Sequence, residues 1–577
     1  MKANRDFQVQ KKWKFLDNTC PVFSSEKIHP EIAKLLSHKG IKSETEALKY
    51  LYPDYNELSD PYLLKDMEEA VDKITSVLDK KGKIAIYGDY DVDGITATAI
   101  LIKFFTLIGA DVISYIPKRS EEGYGLNSGA LNELSKKKVE LIITVDCGTA
   151  SLDEVLYAKK QGMDIIITDH HSIKNIEGQE CLPDALVINP KRSKSHEAYY
   201  NLCGAGVAYY LVRAFVKKKP GIIPLEYEKW WLDLVSLGTI CDVVPLVKDN
   251  RILAKFGLKV LSKSRNVGLN ALARVSEMNL SDVDSYKVGF VLGPRLNAAG
   301  RLETANSSLD LLLEEETIKA ITLANELNTI NIMRQEVTEK IVNEARDIIL
   351  KEGLAQKRKI LLLQSKEWPA GVVGIAASRL VQEFSRPVLI MEADGDELKG
   401  SARSIDGFNI VEALAKCSEY LIQFGGHAQA AGFKLKKEHF LLLDEKLISI
   451  SDKEIETINL VPELIIDNML LFKNIDQELV DSLTDLEPYG TDNFKPVFAS
   501  EQVRINQNLL VGKNKEHLKL VLSDGNIDLN GIAFQYGQIC KLKKSDMIDL
   551  AYTIEINEWK QQKKIDLHII DIKVSHD

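Results

Sequence analysis

Apolar residues recur along the chain in three different rhythms. Between residues 84 and 188 short runs stand at Ile84–Tyr87, Val112–Ile116, Leu141–Val145, Ile165–Thr168 and Ala185–Ile188, with helical spacing between them. Runs without alternation, rich in Ile and Val, are what a strand buried on both faces requires, so this region predicts βαβ units around a parallel sheet. Upstream, residues 1–80 read as a helical lead-in, with helical periodicity in Pro30–Leu36 and Asp66–Ile74. Downstream, residues 306–352 read as helical, and Ala320–Leu350 contains no Gly or Pro, which predicts a long helix between two lobes. A second α/β unit over 357–455 opens with the strand Lys359–Leu363. From 456 to 577 short alternating runs such as His517–Leu522 and Ile565–Ile570, separated by turn residues, predict a small β-barrel.

The apolar runs of the first region end in acids and histidines. Ile84–Tyr87 leads through Gly88 into Asp89, Asp91 and Asp93, followed by Gly94 and a mostly apolar helix. Leu141–Val145 leads into Asp146, Ile165–Thr168 into Asp169-His170-His171, and Leu234–Cys241, read as a further strand, into Asp242. Ligands of parallel sheets gather beyond the carboxyl ends of the strands. A lone D-x-D-x-D is more often a solvated turn, a lone Asp a helix cap and a lone His an ordinary satisfied side chain. Four such ends in one sheet are hard to read as caps, and like charges this close call for a cation. An EF-hand is excluded: its twelfth position, counted from Asp89, is Ile100, and a strand precedes the motif. Oxygen and nitrogen donors without thiolate suit Mn²⁺ or Mg²⁺ better than structural zinc.

Composition adds bounds. A chain of 577 residues has room for three or four domains of about 150 residues each. Hydrophobic content of 45% and charged content of 27% are ordinary for a globular protein. No apolar run approaches the roughly 18 residues of a membrane span, and the polar start carries no signal-peptide core. The seven cysteines are scattered with no C-x-x-C pair, which suits a reducing cytoplasm and neither a disulfide framework nor a zinc ribbon. The net charge of −10 gives no global mark of nucleic-acid binding, although an acidic metal centre can coexist with a local basic groove.

In order, D-Y-D-V-D-G, V-D-C-G, D-H-H and T-I-C-D-V-V-P resemble the four motifs of the DHH phosphoesterase superfamily, and more closely its RecJ branch of single-strand-specific 5′ exonucleases. Pro117-Lys118-Arg119 with Glu122–Leu126, Gly293–Arg301 and Gly425–Gly432 are similar to further segments of that branch, so the likeness covers residues 45–575. It implies a DHH domain over 81–305 after the lead-in, a connecting helix over 306–356, a DHH-associated α/β domain over 357–455 and an OB-fold nucleic-acid-binding domain over 456–577. It places Asp89, Asp91, Asp93, Asp146, His170 and Asp242 around two divalent cations, Mn²⁺ or Mg²⁺, with Asp146 as the bridge. Tyr87 stands where many relatives have a His, and Asp89 is expected to compensate. Asp169 would support the histidine pair, and His171 would donate to a phosphoryl oxygen or to the leaving group.

By motif, Arg119, Ser401 and Arg403 match a pocket for a terminal 5′ phosphate and Tyr124 a base-stacking position, with Arg295, Arg301, Arg379, Gly426 and His427 as further substrate contacts. Read from the residues alone, Gly425-Gly426 is as much a turn as an anion-binding backbone, and Lys513, Lys515 and Lys519, which could track phosphates, each taken singly read rather as a solvated face. The activity implied is 5′-to-3′ hydrolysis of single-stranded DNA to 5′-mononucleotides by a two-metal mechanism, in repair and recombination. The implied setting is a cytoplasmic monomer that touches no membrane and works with a helicase and a single-strand-binding protein. Three other functions compete: an oligoribonucleotide or cyclic-dinucleotide phosphodiesterase, opposed by the barrel; a non-catalytic replication-fork adaptor, opposed by the filled acidic and His positions; and, more distantly, an inorganic pyrophosphatase, which needs neither the barrel nor the long linker. One segment, Glu487–Pro496, departs from the pattern, lacking a glycine and a further proline around Asn493.

Overall fold

The computed structural model describes residues 11–16, 22–118, 122–123, 125–192, 196–302, 305–456, 460–537, 542–559 and 562–574. They form two compact units. The first comprises residues 52–334 together with 486–494, and the second the described parts of 1–51, 335–485 and 495–577.

The first unit is built on a five-stranded sheet in the order Val112–Tyr115, Ile84–Tyr87, Leu141–Val145, Asp164–Thr168, Leu186–Ile188. Every pairing is parallel, and the register sets Tyr87 beside Thr144 and Val145 beside Thr168, so the carboxyl ends lie level. All five runs expected as strands are strands, and the inner ones are covered on both faces. Ile84, Ile86, Ile143 and Ile166 pack into one cluster with the helices Val92–Leu107 and Gly204–Lys218. Ala85, Tyr87, Ile142 and Ile167 pack into another with Leu131 and Val155. Each large side chain so buried contributes roughly 1.5–3 kcal/mol.

One expected strand is a helix. Leu232–Cys241 is α-helical, and Asp242 caps its end instead of ending a strand. The helix packs against Val92–Leu107, Gly204–Lys218 and Lys248–Leu261, so it is apolar all round, and an apolar run of this length has no period that separates strand from helix. The region 306–352 is two helices, Asn306–Leu313 and Thr317–Glu352. Between them the Glu314 carboxylate accepts from the N–H groups of Glu315 and Glu316 (2.9 and 2.7 Å).

The second unit holds a five-stranded sheet, Leu421–His427, Ala430–Lys436, Glu397–Arg403, Val388–Asp394, Leu361–Ser365, against which the helix Ala370–Phe384 packs. It also holds a closed barrel. Phe498–Val511 pairs with His517–Ser523, which pairs with Asp528–Ala533; Gln562–Val574 and Met547–Trp559 follow, and the last returns to Phe498–Val511. The Asp528–Ala533 and Gln562–Val574 pairing is parallel, and closure removes exposed sheet edges, as in an OB fold. The lead-in is not wholly helical: Lys12–Phe15 is a strand parallel to Glu463–Ile466.

The divergent segment is firmly held in the first unit. Asn493 is fully buried and its Nδ2 donates to Leu486 O and Pro488 O (2.8 Å each), Leu246 N donates to Thr491 O (2.8 Å), and Arg251 Nη1 donates to Leu486 O (2.9 Å).

Candidate metal centre

Beyond Tyr87 the chain turns at once into the helix Val92–Leu107, and Asp91 is its N-cap, accepting from Gly94 N (3.1 Å). A Cβ on Gly94 would lie 2.7 Å from Asp89 N and O, so the first helical turn can rest on Asp89 only with glycine there. Asp93 points inward from that turn, and its carboxylate accepts from Gly204 N (2.5 Å) and Ala205 N (2.8 Å) at the start of the helix Gly204–Lys218. A helix N-terminus is a natural seat for a carboxylate. A Cβ on Gly204 would lie 2.5 Å from Asp146 Cβ. Asp146 itself sits at φ 60 and Val243, just after Asp242, at φ 59, both in the left-handed region where a side chain is strained.

These elements bring all six expected ligands together in overlapping groups whose donor atoms lie within 4.8 Å of one another: Asp89, Asp91 and Asp146; Asp93, His170 and Asp242; and Asp146, His170 and His171. His170 Nε2 is 3.0 Å from Asp146 Oδ1, 3.6 Å from Asp242 Oδ2 and 3.7 Å from Asp93 Oδ2. Both His170 ring nitrogens and Asp242 Oδ2 are buried without a hydrogen-bond partner among the described residues. Burial, then repulsion from Asp91, raises the Asp93 carboxyl to about 6. Burial, then Asp93 and Asp91, raises Asp242 to about 9, and Asp146 is pushed well above the usual carboxylate range by burial and then by Asp93. Burial holds His170 down to about 3, a neutral imidazole with lone pairs to give. Five carboxylates, one neutral imidazole and no thiolate fit hard divalent cations such as Mn²⁺ or Mg²⁺.

Asp169 has a different task. It is buried, and it accepts from Thr149 N (2.9 Å), His170 N (2.7 Å) and His171 N (3.1 Å) while meeting His171 Nδ1 at 2.8 Å. Burial opposes its charge, but the His171 contact and these donors hold it well below the usual carboxylate range. Burial likewise opposes the His171 cation, yet the Asp169 contact raises that ring to about 9. The Asp169 contact thus favours the protonated ring in the metal-free site, and 40% of the His171 side chain is exposed.

Several supporting residues escaped the sequence reading. Asn297 Oδ1 accepts from Val92 N (3.1 Å), which gives the Gly293–Arg301 motif a structural purpose at the acidic turn. Asn189 Nδ2 bonds Thr149 Oγ1 and His171 O (3.0 Å each). Lys191 faces Asp242, Asp169 and Asp146, its ammonium pulled down by burial. The polar run Asn189-Pro190-Lys191 directly after Ile188 was the available signal.

The expected substrate contacts fare unevenly. Arg119 and Tyr124 lie outside the described residues. Arg295 is tied to its own surroundings, Nε to Asn328 Oδ1 (2.9 Å) and Nη1 to Val291 O (2.7 Å), and Arg301 stands half-buried near the end of the helix Gly293–Leu302. In the second unit Arg403 Nη1 donates to Ser401 Oγ (2.8 Å), and a Cβ on Gly374 would lie 2.9 Å from that oxygen and 3.0 Å from Arg403 Nη2. Gly425, Gly426 and His427 form an extended edge strand and no turn, with Gly426 at φ 144. Register puts Arg403, Ala430 and His427 in one row, and Ser401, Gly432 and Gly425 in another on the same face. Arg379 is exposed and paired with Glu339 (2.7 Å).

A parallel sheet with these acids and histidines gathered beyond its carboxyl end is the arrangement of a DHH-type protein. The model of the DHH family N-terminal domain matches residues 83–239, the DHHA1 domain 357–456 and the RecJ OB domain 466–571. The chain is 36% identical to the single-stranded-DNA-specific exonuclease RecJ of Bacillus subtilis over 96% of its own length and 69% of that protein. It is 34% identical to the RecJ of Salmonella typhimurium over 94% of its length and 96% of that protein. The crystal structure of RecJ in complex with Mn²⁺ from Thermus thermophilus superposes with a TM-score of 0.82 at 27% identity, covering 98% of this chain and 80% of the other. The chain belongs to the RecJ family.

Proposed function

We propose that this protein is a single-stranded-DNA-specific exonuclease that removes 5′-mononucleotides from the 5′ end, with Mn²⁺ or Mg²⁺ as cofactor, in DNA repair and recombination. The observation that carries the reading is the set of overlapping donor groups sharing Asp146 and His170 in a chain that matches RecJ proteins over nearly its whole length. Asp89, Asp91 and Asp146 would hold one cation and Asp93, His170 and Asp242 the other, Asp146 serving both. When bound, such cations supply the Lewis acidity that activates water and neutralises the attacked phosphate.

The remaining work falls to side chains. Asp169 fixes the His171 ring through Nδ1 and stabilises its charge, so the ring can give a proton or a hydrogen bond to a phosphoryl oxygen or to the leaving 3′ oxygen. The Ser401 hydroxyl and Arg403 guanidinium, close under Gly374, suit a terminal phosphate, which carries more charge than an internal diester. On the barrel, exposed Phe534 stands between His517 and His568, ring centroids 5.0 Å from each, and Lys519, Ile532 and His568 share a row. Aromatic rings beside a lysine suit a single strand.

No helix among the described residues is long and apolar enough to cross a membrane. A monomer serving a helicase and a single-strand-binding protein completes the reading; its cytoplasmic setting is supported by the scattered cysteines, of which all those described are free. The deciding experiment is digestion of end-labelled single strands with Mn²⁺ or Mg²⁺, beside a dinucleotide. Release of mononucleotides from the 5′ end supports the proposal, whereas preference for the dinucleotide, or degradation from the 3′ end, contradicts it.

A further inference from the structure

Residues 285–302 run as one helical stretch interrupted by a π-helical turn at Val288–Leu292. Val288 and Leu292 are wholly buried, whereas Tyr286 and Phe290 are 65% and 67% exposed. Their rings stack on one another, centroids 4.8 Å apart and planes 26° from parallel. Two exposed aromatic rings on a rigid helix are an unusual use of surface, and π-helical turns gather at functional sites.

The stretch is anchored to the acidic cluster at two points. The Cys241 thiol, one residue before Asp242, donates to Val288 O (3.8 Å), and a Cβ on Gly293 would lie 2.4 Å from the same sulfur. Further along, Asn297 caps Val92, between Asp91 and Asp93. Val243, next to Asp242, is itself 67% exposed. The stretch that carries the aromatic pair thus packs against the segment that delivers Asp242, and a strand lying in that centre carries aromatic bases.

We propose that Tyr286 and Phe290 form a base-stacking platform that seats unpaired bases of the strand beside the metal centre. The proposal rests on the exonuclease reading above. Every base has a π-face, so the platform ignores sequence, but in a duplex those faces are occupied by neighbouring pairs. Selection for single strands would then come partly from these two rings.

The test uses the full chain loaded with Mn²⁺ and a 5′-phosphorylated single strand, with or without a run of abasic sites near its 5′ end. Tyr286→Ala/Phe290→Ala should raise KM about tenfold, in line with lost stacking, with kcat changed less than about twofold. Abasic sites should penalise wild type by a similar factor and the double variant hardly at all. Phe290→Trp should keep activity, and its fluorescence should be quenched by the intact strand more than by the abasic one. A double variant with unchanged KM, or an indole signal in Phe290→Trp indifferent to bases, would overturn the platform. Should alanine disturb folding, judged by the melting curve, Phe290→Leu replaces it with the same expectation. If wild type cleaves no strand while base-dependent quenching persists, the exonuclease reading fails and the platform stands.

Discussion

Asp169 Oδ1 lies 2.8 Å from His171 Nδ1 and also accepts the backbone N–H of His171 and of His170. One carboxylate therefore sets the charge and the orientation of a ring that the candidate metal centre does not need for its ligands. His171→Ala should lower kcat by about 10²–10⁴-fold, the usual worth of a positioned proton donor, while strand affinity and Mn²⁺ binding stay near wild type. Single-turnover rates and metal titration measure the two separately. Loss of bound Mn²⁺ as the main effect would make His171 a ligand, as its group with Asp146 and His170 allows.

Asp146→Asn should abolish cleavage and leave strand binding largely intact. It should also leave the metal-free protein as stable as wild type, or more so. Asn tolerates the left-handed backbone, and the exchange replaces a carboxyl whose ionised form is opposed by burial and by repulsion from Asp93, Asp91, Asp89 and Asp242. Melting curves in chelator, set beside nuclease assays in Mn²⁺, check both halves.

Gly204→Ala tests the packing behind the centre. Its methyl group would meet Asp146 Cβ at 2.5 Å and Cγ at 2.9 Å, with a helix start on one side and a strained turn on the other. Overpacking of this kind costs about 1–3 kcal/mol, so a lowered melting temperature together with weakened Mn²⁺ binding is expected.

Arg403→Ala should cost more on 5′-phosphorylated strands than on strands with a 5′ hydroxyl, by about 1.5–3 kcal/mol in kcat/KM. Equal losses on both substrates would place the 5′-phosphate contact elsewhere.

For the barrel, Phe534→Ala should weaken binding of long strands by about 1–3 kcal/mol, and Lys519→Ala should flatten the salt dependence of affinity. Neither should alter Mn²⁺ binding. Cutting the chain at residue 460 would be a poor substitute, since it also strips Leu486–Phe494 from the first unit.

Legibility followed the strength of the local signal. Ile84–Tyr87 and Leu141–Val145 were readable because burial on both faces leaves no room for polar residues. Leu234–Cys241 offered the same apolar run for another reason, burial on every side of a helix, and Asp242 still joins the other acids because either element delivers its last residue to the same end. Lys12–Phe15 was invisible as a strand, since its partner Glu463–Ile466 lies at the far end of the sequence. The caps that aim the acids, Asn297 on Val92 and the Gly204 and Ala205 amides on Asp93, are long-range pairings that no local pattern announces.

Arg251 is 2% exposed, and one guanidinium nitrogen donates to Leu486 O, 235 residues further along. On the ribosome, at about 5–20 residues per second, that carbonyl emerges roughly 10–50 s after the arginine. Until then the nascent first unit has a cation without this seat and Leu246 N without its Thr491 acceptor. Its folding can be completed only after much of the second unit has been synthesised, so the enzyme matures as one translation product and not domain by domain.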